Sequence, residues 1–134
     1  MSHLYTSLLV VHVIVAVLGV GSIASVAIIA AIARRAGQAS TQVLVSIAPL
    51  LRYSAFSLAA MLLTGILLDF AAHGAFHESW WFRGSVLLLV ATGALHGFAR
   101  RAMRTAALRR VEWIAYGMSA LVAVITMLME VKPF

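Results

Sequence analysis

The chain contains no cysteine. Disulfides, thiolate metal sites, iron–sulfur clusters and a covalently attached c-type haem are therefore excluded. Any cofactor must be held by His, Met, carboxylate, Tyr or backbone groups. Charge is scarce as well. Only 10% of the 134 residues are charged and only four are acidic, whereas a soluble domain carries about 25% charged residues. No Lys, Arg, Asp or Glu occurs between Met1 and Ala33. There is also no Gly-rich phosphate loop and no convincing Ser/His/Asp arrangement, so nucleotide and hydrolase chemistry find no support.

What is present is apolar. Hydrophobic residues make up 63% of the chain, too much apolar surface for so short a chain to hide from water. The bilayer is the expected solvent. The formal charge of +6 comes from arginines beside apolar runs, which membrane topology explains better than nucleic-acid binding. The N-terminal apolar run lacks a positive n-region and is too long for a cleavable h-region, so it reads as an uncleaved first span.

The pattern predicts an all-α fold: one domain over residues 1–134, an integral membrane four-transmembrane-helix bundle. The expected helices cover about 4–33, 49–70, 80–100 and 111–131; the last three are near the roughly 20 residues a span needs, and the first is long enough to tilt or to protrude. Arg34-Arg35 closes the first. Pro49 is placed in the first turn of the second. Trp80-Trp81-Phe82 opens the third as an interfacial aromatic belt, and 17 uncharged residues separate Glu112 from Glu130 in the fourth.

Loops one and three with their flanks carry Arg34, Arg35, Arg52, Arg100, Arg101, Arg104, Arg109 and Arg110, against Arg83 and Lys132 elsewhere. That bias places both arginine-rich loops in the cytoplasm and both termini outside, as in a bacterial cytoplasmic (inner) membrane. The repeat of Ala-Arg-Arg-Ala at 33–36 and 99–102 follows from the same rule. The basic run from Arg100 to Arg110 suits anionic lipid headgroups.

Spacings of three and four select one small or polar stripe per helix. These are Tyr5, Leu9, His12, Ala16, Gly19 and Ile23; Tyr53, Ser57, Ala60, Thr64 and Leu67; Ser85, Leu89, Thr92, His96 and Arg100; and Glu112, Tyr116, Ser119, Ala123, Thr126 and Glu130. Hydrocarbon cannot hydrogen-bond such groups, so the stripes are expected to converge in the bundle. Gly93-x-x-x-Gly97 and the Gly19/Gly21 region are expected to allow close helix approach. The stripes serve packing, or leave room for a flat ligand.

His12 is the first candidate for chemistry, because an ionisable group inside a span is a functional hypothesis by default. His96 is the second. With a rise of 1.5 Å per residue the two lie roughly 10–15 Å apart along the bundle, which suits separate roles better than one shared iron. Arg83 on one side, and likewise Arg52 on the other, is a candidate partner for an anionic group such as a porphyrin propionate, or it snorkels to headgroups. His73 and His77, four apart and followed by Glu78, form a candidate Cu or Zn site, which assumes that the segment is helical.

Three elements resemble the small four-helix membrane proteins of the HemJ-type protoporphyrinogen oxidase and CopD-like copper-resistance group. They are Leu9-Val10-Val11-His12 with Gly19 and Gly21, the pair Thr64-Gly65, and Trp80-Trp81-Phe82-Arg83 through His96. The resemblance implies a four-helix bundle holding b-type haem, with His12 and His96 as its histidines. Arg83 then stands where the family has lysine, which keeps the charge but not a titrating amine. Three functions follow as expectations: a b-haem or porphyrin-binding redox protein with its pocket between helices 1, 2 and 3, His12 as main axial ligand and Arg83 as propionate partner; an accessory subunit of a larger membrane complex or homo-oligomer; and a metal-handling or transport protein using His73, His77 and Glu78.

Overall fold

The computed structural model describes residues 3–131 as four helices: α1 (His3–Arg35), α2 (Ser40–Ala71), α3 (Trp80–Arg104) and α4 (Leu108–Val131). No strand occurs among the described residues. All four helices are long and apolar enough to cross a bilayer. Lys132, counted above with the tail, lies outside the described residues.

The largest difference from the expected boundaries is at α2, which starts at Ser40 and holds Pro49 in its interior. Proline lacks an N–H, so Val45 loses its helical donor there. The apolar run on both sides packs well enough to carry the helix through, with Val43, Leu44, Ile47 and Leu51 all buried.

The first three helices end in one way. Gln38 N–H bonds the Ala33 carbonyl at 3.0 Å, Gly74 N–H the Asp69 carbonyl at 2.8 Å, and Ala107 N–H the Ala102 carbonyl at 3.0 Å. The residue before each of these donors is left-handed: Gly37 (φ 67°), His73 (φ 57°) and Ala106 (φ 51°). These are Schellman closures, which satisfy carbonyls the helix leaves open. Only the first uses the glycine that this backbone region favours.

α1 packs against both α2 and α4, and α3 packs against α4, while α2 and α3 approach each other only sparsely. Around the bundle the order is α2, α1, α4, α3, and the ring stays open between its two ends. Ile23, Val26, Ile47, Val111, Met118, Val122 and Ile125 form the fully buried core. Large apolar side chains such as Phe56, Phe70, Leu87 and Trp113 cover the outside, a distribution that suits apolar surroundings.

The faces that turn inward only partly match the polar stripes. On α3, Ser85, Leu89, Thr92 and His96 are buried as expected, but Arg100 is exposed. On α4, only Glu112 of the expected set is buried, and the helix turns Val111, Ala115, Met118, Val122 and Ile125 inward instead. Ser119 and Thr126 need no interior partner, because each hydroxyl bonds the carbonyl four residues back, at 2.9 and 3.0 Å. The same displacement occurs on α2, where Thr64 alone of its stripe is buried and Leu51, Ser54, Leu58, Met61 and Leu68 form the inner face with it. On α1, Gly19 and Ile23 are buried and His12 half-buried, while Leu9 is exposed.

The glycines divide as well. A Cβ on Gly19 would stand 2.9 Å from Ser57 Cβ, so this glycine brings α1 onto α2. Gly21, Gly93 and Gly97 meet nothing within 4 Å. The expected close approach at Gly93-x-x-x-Gly97 does not form, because α3 faces the open seam there. Across the bundle, the Arg34 guanidinium clasps the buried Glu112 carboxylate through Nε and Nη2, joining the end of α1 to the start of α4.

Candidate functional site

The open seam between α2 and α3 is a cleft. Near the arginine-rich end it encloses about 590 Å³ and is lined by Ala48, Ala55, Phe56 and Ala59 of α2, by Met103 of α3, and by Arg52, Arg100 and Arg104. His96 stands in its wall. The cleft continues past Ala55, Ala59 and His96 into a second space of about 270 Å³, bordered by Leu62, Leu89, Val90 and Gly93. Ala48, Ala55 and Ala59 on the α2 wall and Gly93 on the α3 wall keep it open, and arginine gathers at one end only.

His96 bridges this seam. Its Nε2 donates to the Leu51 carbonyl at 2.6 Å and lies 3.1 Å from Ser54 Oγ. Ser54 Oγ donates to the same carbonyl at 2.9 Å, which leaves its lone pairs to accept from His96. A carbonyl oxygen only accepts, so Nε2 carries the proton. His96 is therefore a satisfied, buried cross-link where helix packing is thinnest.

His12 is bonded the other way round. Its Nδ1 lies 2.7 Å from Thr64 Oγ1. The Thr64 hydroxyl is already directed at the Ala60 carbonyl, 2.8 Å away, so it accepts from His12 Nδ1–H. In the neutral ring this leaves Nε2 with its lone pair. Gly65 lies beside the ring, where an added Cβ would be 3.6 Å from His12 Cε1. The Thr64-Gly65 pair and His12 thus meet in space, although 52 positions separate His12 from Thr64.

The two histidines line different cavities. The one at His12 is small, about 20 Å³, and shares only Leu62 and Leu89 with the cleft. Phe82 lines it. Arg83 is exposed, and its Nε donates to the His77 carbonyl at 2.8 Å.

Residues 72–79 form a non-helical connection, so the helical spacing expected of His73 and His77 is not realised. Asp69 organises the turn, its Oδ1 accepting from the backbone N–H groups of Phe76 (2.8 Å) and His77 (3.1 Å). Its Oδ2 stands 3.7 Å from His77 Nδ1. Phe76 packs against Trp81 with ring centroids 5.7 Å apart. His73, His77 and Glu78 are all exposed. Among the described residues no three His, Asp or Glu side chains converge.

The structure brings together residues that sequence spacing does not connect. Met61 and Met129 reach the His12 cavity from α2 and α4, and no sequence spacing connects them. Ser85 lines the same cavity, and its buried hydroxyl has no hydrogen-bond partner. Arg52 stands with Arg100 and Arg104 only because the ring of helices is open. Comparison with protein-family models, curated proteins and solved structures finds no match to this chain.

Proposed function

We propose that this chain is a membrane-embedded tetrapyrrole-binding protein that seats b-type haem in the cleft between α2 and α3. The supporting observation is the form of that cleft, an apolar slot with alanines along its α2 wall and Arg52, Arg100 and Arg104 at one end. A porphyrin is flat and apolar with two carboxylates on one edge. Arginine pairs with carboxylates in a forked geometry that lysine lacks. The bilayer placement rests on the four apolar helices, and the arginine-rich end faces the cytoplasm by the positive-inside rule.

The residues present fit the macrocycle and its carboxylates. The alanines of α2, facing Leu89, Val90 and Gly93 of α3, would take the ring, and the arginines would hold the carboxylates outside the apolar slot. His96 is the imidazole in the wall; to hold iron, its Nε2 would have to leave the Leu51 carbonyl, with the ring proton moved to Nδ1. Haem so bound supplies one-electron chemistry. The protein's part is to hold the ring by its edge and to keep the apolar faces from water.

The test is titration of the detergent-purified protein with haemin, followed by absorption. A shifted Soret band with sharpened bands on reduction is expected, and changing Arg52, Arg100 and Arg104 together to glutamine is expected to weaken binding at least tenfold. Haemin bound equally well by that triple variant, or no spectral change at all, overturns the reading. Single cysteines at Gln38→Cys and Ala75→Cys, clean probes in a cysteine-free chain, are expected to react from opposite sides of sealed vesicles.

A further inference from the structure

The small cavity at His12 is fed by all four helices. His12 comes from α1, Met61 from α2, Ser85 from α3 and Met129 from α4. The rest of its wall is aliphatic, aromatic or glycine, with no carboxylate and no cation. Its volume of about 20 Å³ admits one ion or one water and excludes an organic cofactor.

Three features distinguish this cavity from an ordinary packing defect. First, the Thr64 hydroxyl holds His12 by Nδ1, leaving Nε2 as the donor atom. Histidines that bind metal are almost always held in this way, by a hydrogen bond at the other ring nitrogen that sets tautomer and orientation. Second, Ser85 Oγ is buried without a partner, in a residue only 2% exposed. Buried hydroxyls are rarely left so, and an orphan of this kind points to an occupant. Third, two methionines line the same space. Methionine often fills gaps in a core, but here two of them surround an imidazole and an unsatisfied hydroxyl.

The donor set selects the ion. Every candidate ligand is neutral, and an apolar interior makes each uncompensated unit of charge expensive. A monovalent ion is therefore favoured over a divalent one. Thioether sulfur is soft and selects Cu(I), whereas Mg, Ca and Mn look for carboxylate and carbonyl oxygen. We infer that His12, Met61 and Met129 form a buried binding site for a single Cu(I) ion, with the Ser85 hydroxyl as a weak fourth contact. The site lies apart from the exposed His73, His77 and Glu78, and it does not depend on the porphyrin reading.

The test uses the full chain in detergent under anaerobic, reducing conditions, with Cu(I) delivered from bicinchoninate and with Ag(I) as a stand-in that undergoes no redox change. The absence of cysteine removes the usual thiol background. One Cu(I) per chain is expected, with sulfur scatterers in the X-ray absorption spectrum. The volume-conserving double variant Met61→Leu/Met129→Leu, which keeps the core filled, is expected to weaken binding at least 100-fold. His12→Ala is expected to do the same, while His73→Ala/His77→Ala leaves the stoichiometry of this site unchanged. Absence of stoichiometric Cu(I) or Ag(I) binding overturns the inference. So does binding that survives the double methionine variant, or Zn(II) competing on equal terms. A cavity holding one water instead predicts no metal uptake and a protein destabilised by Ser85→Ala.

Discussion

His12 on α1 and His96 on α3 are the same residue type on apolar helices that stand across the bundle from each other, and what separates them is the capacity left on their partners. His96 Nε2 meets a carbonyl, which only accepts, and a serine hydroxyl whose proton already goes to that carbonyl. Its reaching nitrogen is thereby committed. His12 meets a threonine hydroxyl through Nδ1, and the nitrogen that reaches further keeps its lone pair beside a cavity. One histidine ties two helices together where their packing is sparse. The other lines a small cavity with one ring nitrogen uncommitted. A buried histidine is thus read from the second half of its hydrogen-bond inventory, not from its burial.

The sharpest way to break this contrast is to delete each ring. His96→Ala removes the polar cross-link of the α2–α3 seam and leaves a void, so it is expected to destabilise the bundle by about 2–3 kcal/mol. His12→Ala is expected to cost less than half as much. Unfolding of both variants in one detergent, followed by circular dichroism, measures the difference, and equal losses would remove the distinction. Next in size is Thr64→Val, which keeps the shape of the side chain and deletes the hydroxyl. A cost of about 1 kcal/mol is expected, with Cu(I) affinity reduced about 10- to 100-fold as an orienting partner is lost. An unchanged affinity would mean that the threonine does not set the ring. The smallest expected effect lies away from both histidines and calibrates the scale. Ala106 is left-handed at the end of α3, so Ala106→Gly is expected to stabilise by about 0.5–1 kcal/mol and to leave both ligand sites unaffected.

Much of the fold was legible beforehand. Helix number, type and approximate position follow from unbroken apolar runs, and the arginine pairs and the Trp80-Trp81-Phe82 cluster mark their ends. Reading the inner faces worked for α3, where the polar residues Ser85, Thr92 and His96 do turn inward. It failed for α4 and α2 because Ser119 and Thr126 satisfy themselves on their own helix backbone, so polarity was no guide to which side faces the core. The helical metal spacing of His73 and His77 failed because α2 closes at Ala71, with His73 itself in the left-handed closing position. Thr64-Gly65 was visible as a motif, yet its role under His12 was not.

By itself the sequence determined the helical class, the four apolar runs, the exclusion of thiol chemistry and the concentration of cations near two of the three connections. Those properties belong to local composition and to the hydrogen-bonding demands of a backbone in apolar surroundings. The tertiary structure decided that the ring of helices stays open between α2 and α3, that three arginines stand at one end of the opening, and that His12, Met61, Ser85 and Met129 line one cavity. The physical reason is that helix rotation is set by how apolar faces interlock. Shifting a helix by one residue turns it by about 100°, and in so apolar a chain only mutual packing chooses among the possible faces.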